Sequence, residues 1–138
     1  MAHRSQPEPP RYLLDRSLGS KIVPTLLREA GFELVTLADV YGEKGAQLAA
    51  DTEWLRYAGD HDLVVLGADD RIRYRAQERN QLAGGRLRSF TITNAHLRGE
   101  EAAQWILTNR HRIEQRCRKT GPYVYGIYHD RLDKLWPK

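Results

Sequence analysis

The chain has 138 residues, 41% hydrophobic and 29% charged, enough apolar side chain for one domain with a sizeable core and too little length for two. No apolar run approaches the roughly 18 residues of a membrane span, and Met1 to Pro10 is polar and proline-rich with no apolar segment to act as a secretion signal, so a soluble cytoplasmic protein is expected. The single cysteine, Cys117, excludes an internal disulfide or a thiolate cage, and any metal must be held by oxygen or histidine.

Residues 1–10 read as a flexible tail and 11–138 as a single domain. Arg11 to Asp15 is a short apolar run ending in an acid, as in a buried strand. Ser17 to Ser20 predicts a turn, with Ser20 capping a helix in which Ile22, Val23, Leu26, Leu27 and Ala30 share one side. Pro24 falls in the first turn of that helix and Gly31 stops it. Glu33 to Leu37 predicts a second strand, and 38–50 a loop with part of a helix. Asp51 to Ala58 predicts a helix with Trp54, Leu55 and Ala58 inward and Gly59 as its stop. Leu63 to Leu66 is a third, buried strand followed by Asp69 and Asp70. Residues 71–82 predict a helix carrying Arg71, Arg75 and Arg79 down one face, broken at Gly84-Gly85. Arg88 to Thr93 is the fourth strand and Glu100 to Lys119 the longest helix, with Ala102, Ala103, Ile106, Ile113 and Cys117 near one face. Tyr123 to Tyr128 is the fifth strand, placed at an edge. Strands alternating with helices predict an α/β fold, a three-layer α/β/α sandwich with a central, mainly parallel sheet.

The net charge of +4 is unevenly spread: residues 1–70 carry 7 basic and 12 acidic side chains, residues 71–138 carry 15 and 6. An acidic cluster beside a basic surface suits a polyanion approached through bound cations. In an open parallel sheet, functional groups gather beyond the carboxyl ends of the strands. Asp15 and Asp69 end the first and third strands, and Asp51 reaches the same rim if its helix starts there. Carboxylates crowded together repel unless a hard divalent cation, Mg²⁺ or Mn²⁺, is held between them. Such an ion lowers the pKa of a bound water and offsets phosphoryl charge, which points to phosphodiester hydrolysis. Arg71, Arg75 and Arg79, with the arginines at 86, 88, 110, 112, 116 and 118, would then track a nucleic-acid backbone. Each feature also has a plainer reading. Asp51 and Asp70 are good helix caps, the arginine stripe has the composition of a solvated helical face, and Trp54 and Trp105 suit the core. His129-Asp130 has no serine or cysteine elbow with which to form a triad.

The pieces Leu13-Leu-Asp15-Arg-Ser-Leu-Gly19, Leu26-Leu-Arg-Glu-Ala-Gly31, Asp51-Thr-Glu-Trp-Leu55 and Val64-Val-Leu-Gly-Ala-Asp69 resemble, in order and spacing, a PIN-like domain. More narrowly, they are similar to the VapC-type ribonuclease toxins of bacterial toxin–antitoxin pairs, over residues 11 to about 95. The resemblance implies Mg²⁺- or Mn²⁺-dependent cleavage of single-stranded RNA and a cognate antitoxin as partner. It assigns Asp15, Asp51 and Asp69 as metal-binding catalytic acids and Ser17 as the hydroxyl that follows the first of them. Two departures stand out. The threonine usual before the third acid gives way to Gly67-Ala68, and the fourth acid, after strand four, is absent near Thr93-Asn94, leaving Asp70 to serve instead or one ion to bind tightly. A non-catalytic RNA-binding module using the basic half is the alternative reading. Aspartyl-phosphate chemistry needs an acid pair after the first strand, and Asp15-Arg-Ser17 has one. A second copy of the chain, paired as a homodimer through the aromatic fifth strand, is a further candidate partner.

Overall fold

Alternating burial along the strands separates two apolar faces of one sheet. In the computed structural model, which describes residues 8–68 and 84–137, the strands are β1 (Arg11–Leu14), β2 (Glu33–Thr36), β3 (Val64–Ala68), β4 (Arg88–Ile92), β5 (Tyr123–Ile127) and β6 (Leu132–Trp136). Their spatial order is β2-β1-β3-β4-β5-β6, all neighbours parallel except the final antiparallel pair. The helices are α1 (Ile22–Glu29), α2 (Leu37–Leu48), α3 (Asp51–Asp60), α4 (Gly99–Thr108) and α5 (Arg110–Cys117), with a 3₁₀ turn at Arg16–Leu18. Tyr12, Leu14, Val64, Leu66, Phe90 and Ile92 point to one face, where Val23 and Leu27 of α1, Ala102 and Ile106 of α4 and Ile113 of α5 cover them. Leu13, Val65 and Val124 point to the other, under Trp54, Leu55 and Ala58 of α3. The result is the expected three-layer α/β/α sandwich. Among the described residues no helix is long and apolar enough to cross a membrane.

Several local expectations need correction. α1 is preceded by Lys21, with no side-chain cap, so Ser20 does not cap it, and Ile22 is 48% exposed rather than inward. The ambiguous stretch is helical from Leu37, started by a capping box between Thr36 and Asp39 and kinked at Gly42, where φ is 78°. α3 runs through Gly59 and stops at Asp60; the reversal comes at Asp62, with φ 54°. Gly84 and Gly85 are themselves helical, and the chain turns at Arg86, with φ 51°.

The long C-terminal helix is two helices. Asn109, fully buried, leaves helical geometry between α4 and α5. Its side-chain amide donates to the carbonyls of Trp105 at 2.9 Å and Tyr128 at 2.7 Å, and its oxygen accepts from Arg112 at 3.1 Å. The break thereby ties the helix pair to the end of β5. Nor is β5 an edge: β6 pairs with it, across a register irregularity at Val124/Tyr125, and the edge positions Asp133 and Lys134 carry charges that discourage further strand addition.

Removing buried hydrogen bonds while leaving their partners unsatisfied is costly. Asn109→Ala is therefore expected to destabilise the fold by about 2 kcal/mol, read as a lower urea midpoint with an unchanged slope.

Candidate active site

β1 lies between β2 and β3, so the connection after β1 leads to one side of the sheet and the chain then crosses to the other side of β1 to make β3. At such a switch point the loops at the carboxyl ends diverge and leave a crevice. Asp15 occupies this position. Its amide donates to the Leu66 carbonyl at 2.9 Å, extending the β1–β3 ladder by one rung. Its side chain starts the 3₁₀ turn: Oδ1 accepts from the Ser17 amide at 2.7 Å and from the Ser17 hydroxyl. The same hydroxyl oxygen accepts from the Ala68 amide at 2.8 Å. A continuous chain of hydrogen bonds thus runs from the end of β3 through Ser17 to Asp15.

Asp51 is the first residue of α3, where the unpaired amides of a helix start favour a carboxylate. Its Oδ1 accepts from the indole nitrogen of buried Trp54 at 3.0 Å. Arg16, next in the chain after Asp15, reaches toward Asp51: its guanidinium lies 3.8 Å from Asp51 Oδ1 and donates to the carbonyls of Ala46 at 2.9 Å and Ala49 at 2.6 Å. The Asp15 carboxyl is pushed up to about 6, chiefly by burial and further by the charge of Asp51, against the lowering effect of the Ser17 hydrogen bonds and Arg16. Both groups are hard oxygen donors, and burial with a second carboxylate nearby leaves negative charge that a small divalent cation would neutralise. That donor chemistry fits Mg²⁺ or Mn²⁺ rather than a softer metal.

Asp15 and Asp51 are thus near enough for the charge of one to raise the carboxyl of the other. Among the described residues no third histidine, cysteine or carboxylate joins them as a metal-holding group. Asp69, Asp70, Arg71, Arg75 and Arg79 lie outside the described residues; Ala68, which directly precedes Asp69 in sequence, is the residue bonded to Ser17. Two residues past β4, Asn94 stands near the place of the missing fourth acid, and its side chain accepts from the His96 amide at 2.9 Å. An open cleft of about 320 Å³ leads away from the rim, lined by Ser17, Lys21, Ala68, Asn94, Leu97 and Ala102 among others. The role of Arg16 was missed from sequence. Its signal is a cation directly after the first acid, but its carbonyl partners 30 and 33 residues away are set only by folding.

The family described as PIN like domain matches residues 10–94, from the start of β1 past the end of β4. A protein of Mycobacterium tuberculosis (strain ATCC 25618 / H37Rv) named "Putative ribonuclease VapC45" is 32% identical over 122 residues, 88% of each chain. No solved structure matches. The chain belongs to the PIN-like domain family, on its VapC-type side. The sequence pieces that resembled that family fall, in this PIN-like domain, on β1 with its 3₁₀ turn, α1, the first turn of α3 and, over Val64–Ala68, β3.

The electrostatics of the ion-free PIN-like domain carry a test. With its folded pKa raised above the unfolded value near 4, Asp15 holds its proton more tightly in the native state, so its contribution to stability falls as pH rises through about 4 to 6 and stays lost above. In EDTA at pH 7, Asp15→Asn should melt roughly 3–5 °C higher than the natural protein, and the gain should vanish near pH 4. Equal melting temperatures at pH 7 would show that the carboxylate carries no such cost.

Proposed function

We propose that this protein is a divalent-metal-dependent endoribonuclease that cleaves single-stranded RNA, the toxin of a toxin–antitoxin pair acting in the cytoplasm. The observation that carries the reading is a buried Asp15 carboxylate, oriented by Ser17 at the switch point of a PIN-like sheet and within electrostatic range of Asp51. Family membership and a relative named as a ribonuclease support nuclease chemistry. Asp15, Asp51 and Asp69 are assigned as the residues that would hold Mg²⁺ or Mn²⁺, with Asp70 a further acid. The ion, when bound, supplies positive charge for the attacking water and the phosphoryl oxygens.

The chain's own residues then divide the work. Ser17, itself held by the Ala68 amide, fixes the orientation of Asp15, Trp54 holds Asp51, and Arg16 lies against Asp51 from the turn that follows Asp15. The open cleft beside Ser17, Lys21 and Asn94 is assigned to the bases of an unpaired strand, the readable part of single-stranded RNA. Arg71, Arg75 and Arg79 are assigned to the RNA backbone, and a cognate antitoxin and a second copy of the chain are the protein partners assigned to it.

Cleavage of single-stranded RNA should require Mg²⁺ or Mn²⁺, stop with EDTA, and fall by about 100-fold or more in Asp15→Asn, Asp51→Asn and Asp69→Asn variants that stay folded. Full activity in those variants would remove the site assignment. Metal-independent RNA affinity, steep in salt and indifferent to the aspartates, would favour the non-catalytic binding module instead.

A further inference from the structure

β1 and β3 run side by side in parallel with Leu14 opposite Leu66, so the next residues, Asp15 and Gly67, adjoin at the last rung. Gly67 sits within β3, and its φ is not among the positive values found at Gly19, Gly31 and Gly42. The backbone there makes no demand for glycine, and a strand interior ordinarily favours a β-branched residue. What the position lacks is space. A β-carbon at residue 67 would stand 2.5 Å from Oδ2 and 3.1 Å from Cγ of Asp15. The carboxylate lies over the bare α-carbon of Gly67, with Oδ1 held on its other side by the Ser17 amide and hydroxyl.

We propose that Gly67 is a positioning residue for Asp15: the missing side chain is the recess that lets the carboxylate take the orientation Ser17 imposes. Adding one methyl leaves two outcomes. Either the carboxylate rotates away and gives up its bonds to Ser17, or β3 shifts from β1 at the rung where Ala68 is tied to Ser17. Both re-aim a metal ligand without removing any ligand atom, and sites of this kind tolerate displacements of only about 0.5 Å. The effect on the ion rests on Asp15 being a metal ligand, as proposed above. The contact between Gly67 and Asp15 stands independently of it.

The test compares the natural protein with Gly67→Ala, Asp15→Ala and the double variant, using Mn²⁺ binding by calorimetry, folding by circular dichroism, and melting in EDTA. Gly67→Ala should bind Mn²⁺ at least about tenfold more weakly than the natural protein. Any melting loss it shows in EDTA should disappear when the same change is made in the Asp15→Ala background, where the colliding atoms are gone. If Gly67→Ala fails to fold, recovery of the natural dichroism spectrum in the double variant supports the proposal, and failure to recover overturns it. Mn²⁺ binding by Gly67→Ala equal to the natural protein's, or a melting loss undiminished in the double variant, also overturns it. Absence of Mn²⁺ binding by the natural protein would instead strike the metal-site reading, while the melting cycle still decides the contact.

Discussion

The pairing of β1 with β3 is the constraint on which the candidate site depends. Parallel register sets Leu13 opposite Val65 and Leu14 opposite Leu66, all four nearly inaccessible to solvent. Burying these side chains on both faces gives the rung its rigidity, since each contributes about 2 kcal/mol of transfer free energy. The first polar group beyond the core is the Asp15 carboxylate, and it emerges where Ala68 and Ser17 can be bonded in series. A one-residue slip of either strand would exchange the side chains packed under the two helical layers and separate these partners.

A second restraint comes from Arg16. The C-terminal carbonyls of α2 are the negative end of that helix, and the start of α3 is a positive end that welcomes Asp51. Arg16 bonds to the carbonyls of Ala46 and Ala49 and lies against Asp51, so one guanidinium joins the α2–α3 corner to the turn after β1. Because its side chain is about half exposed, the ion pair contributes little on its own. Its value is geometric: it ties Asp51 and the end of α2 to the turn that follows Asp15. Trp54 acts from the other side, with its ring in the core and its indole nitrogen on Asp51.

The basic C-terminal half is only partly a surface for a ligand. Arg88 is spent on the Cys117 carbonyl and Asp62, and Arg110 on the Ala30 carbonyl, Glu114 and the face of Phe32. These arginines dock α5 and the strand starts against the rest of the sandwich. The charge asymmetry therefore mixes structural cations with exposed ones, and counting charges along the chain does not separate the two. Burial also keeps Cys117 a protonated thiol, pushed up to about 12, as suits a core residue.

By itself the sequence determined the strands β1 to β5, the inward faces of α3 and the two C-terminal helices, and the position of Asp15 at a strand end, because apolar period and strand-ending acids are local signals. The same pieces carried the family resemblance. It did not reveal β6, whose register irregularity and charged edge residues break the two-residue period. Nor did it reveal the break at Asn109, since an asparagine in a helical pattern becomes a joint only when a carbonyl 19 residues away accepts its amide. Gly67 looked like a departure from a pattern until Asp15 was found to fill the space beside it. Local periodicity can be read from neighbours in the chain. The recess at Gly67, the Arg16 clamp and the approach of Asp51 to Asp15 exist only once strands far apart in sequence have paired.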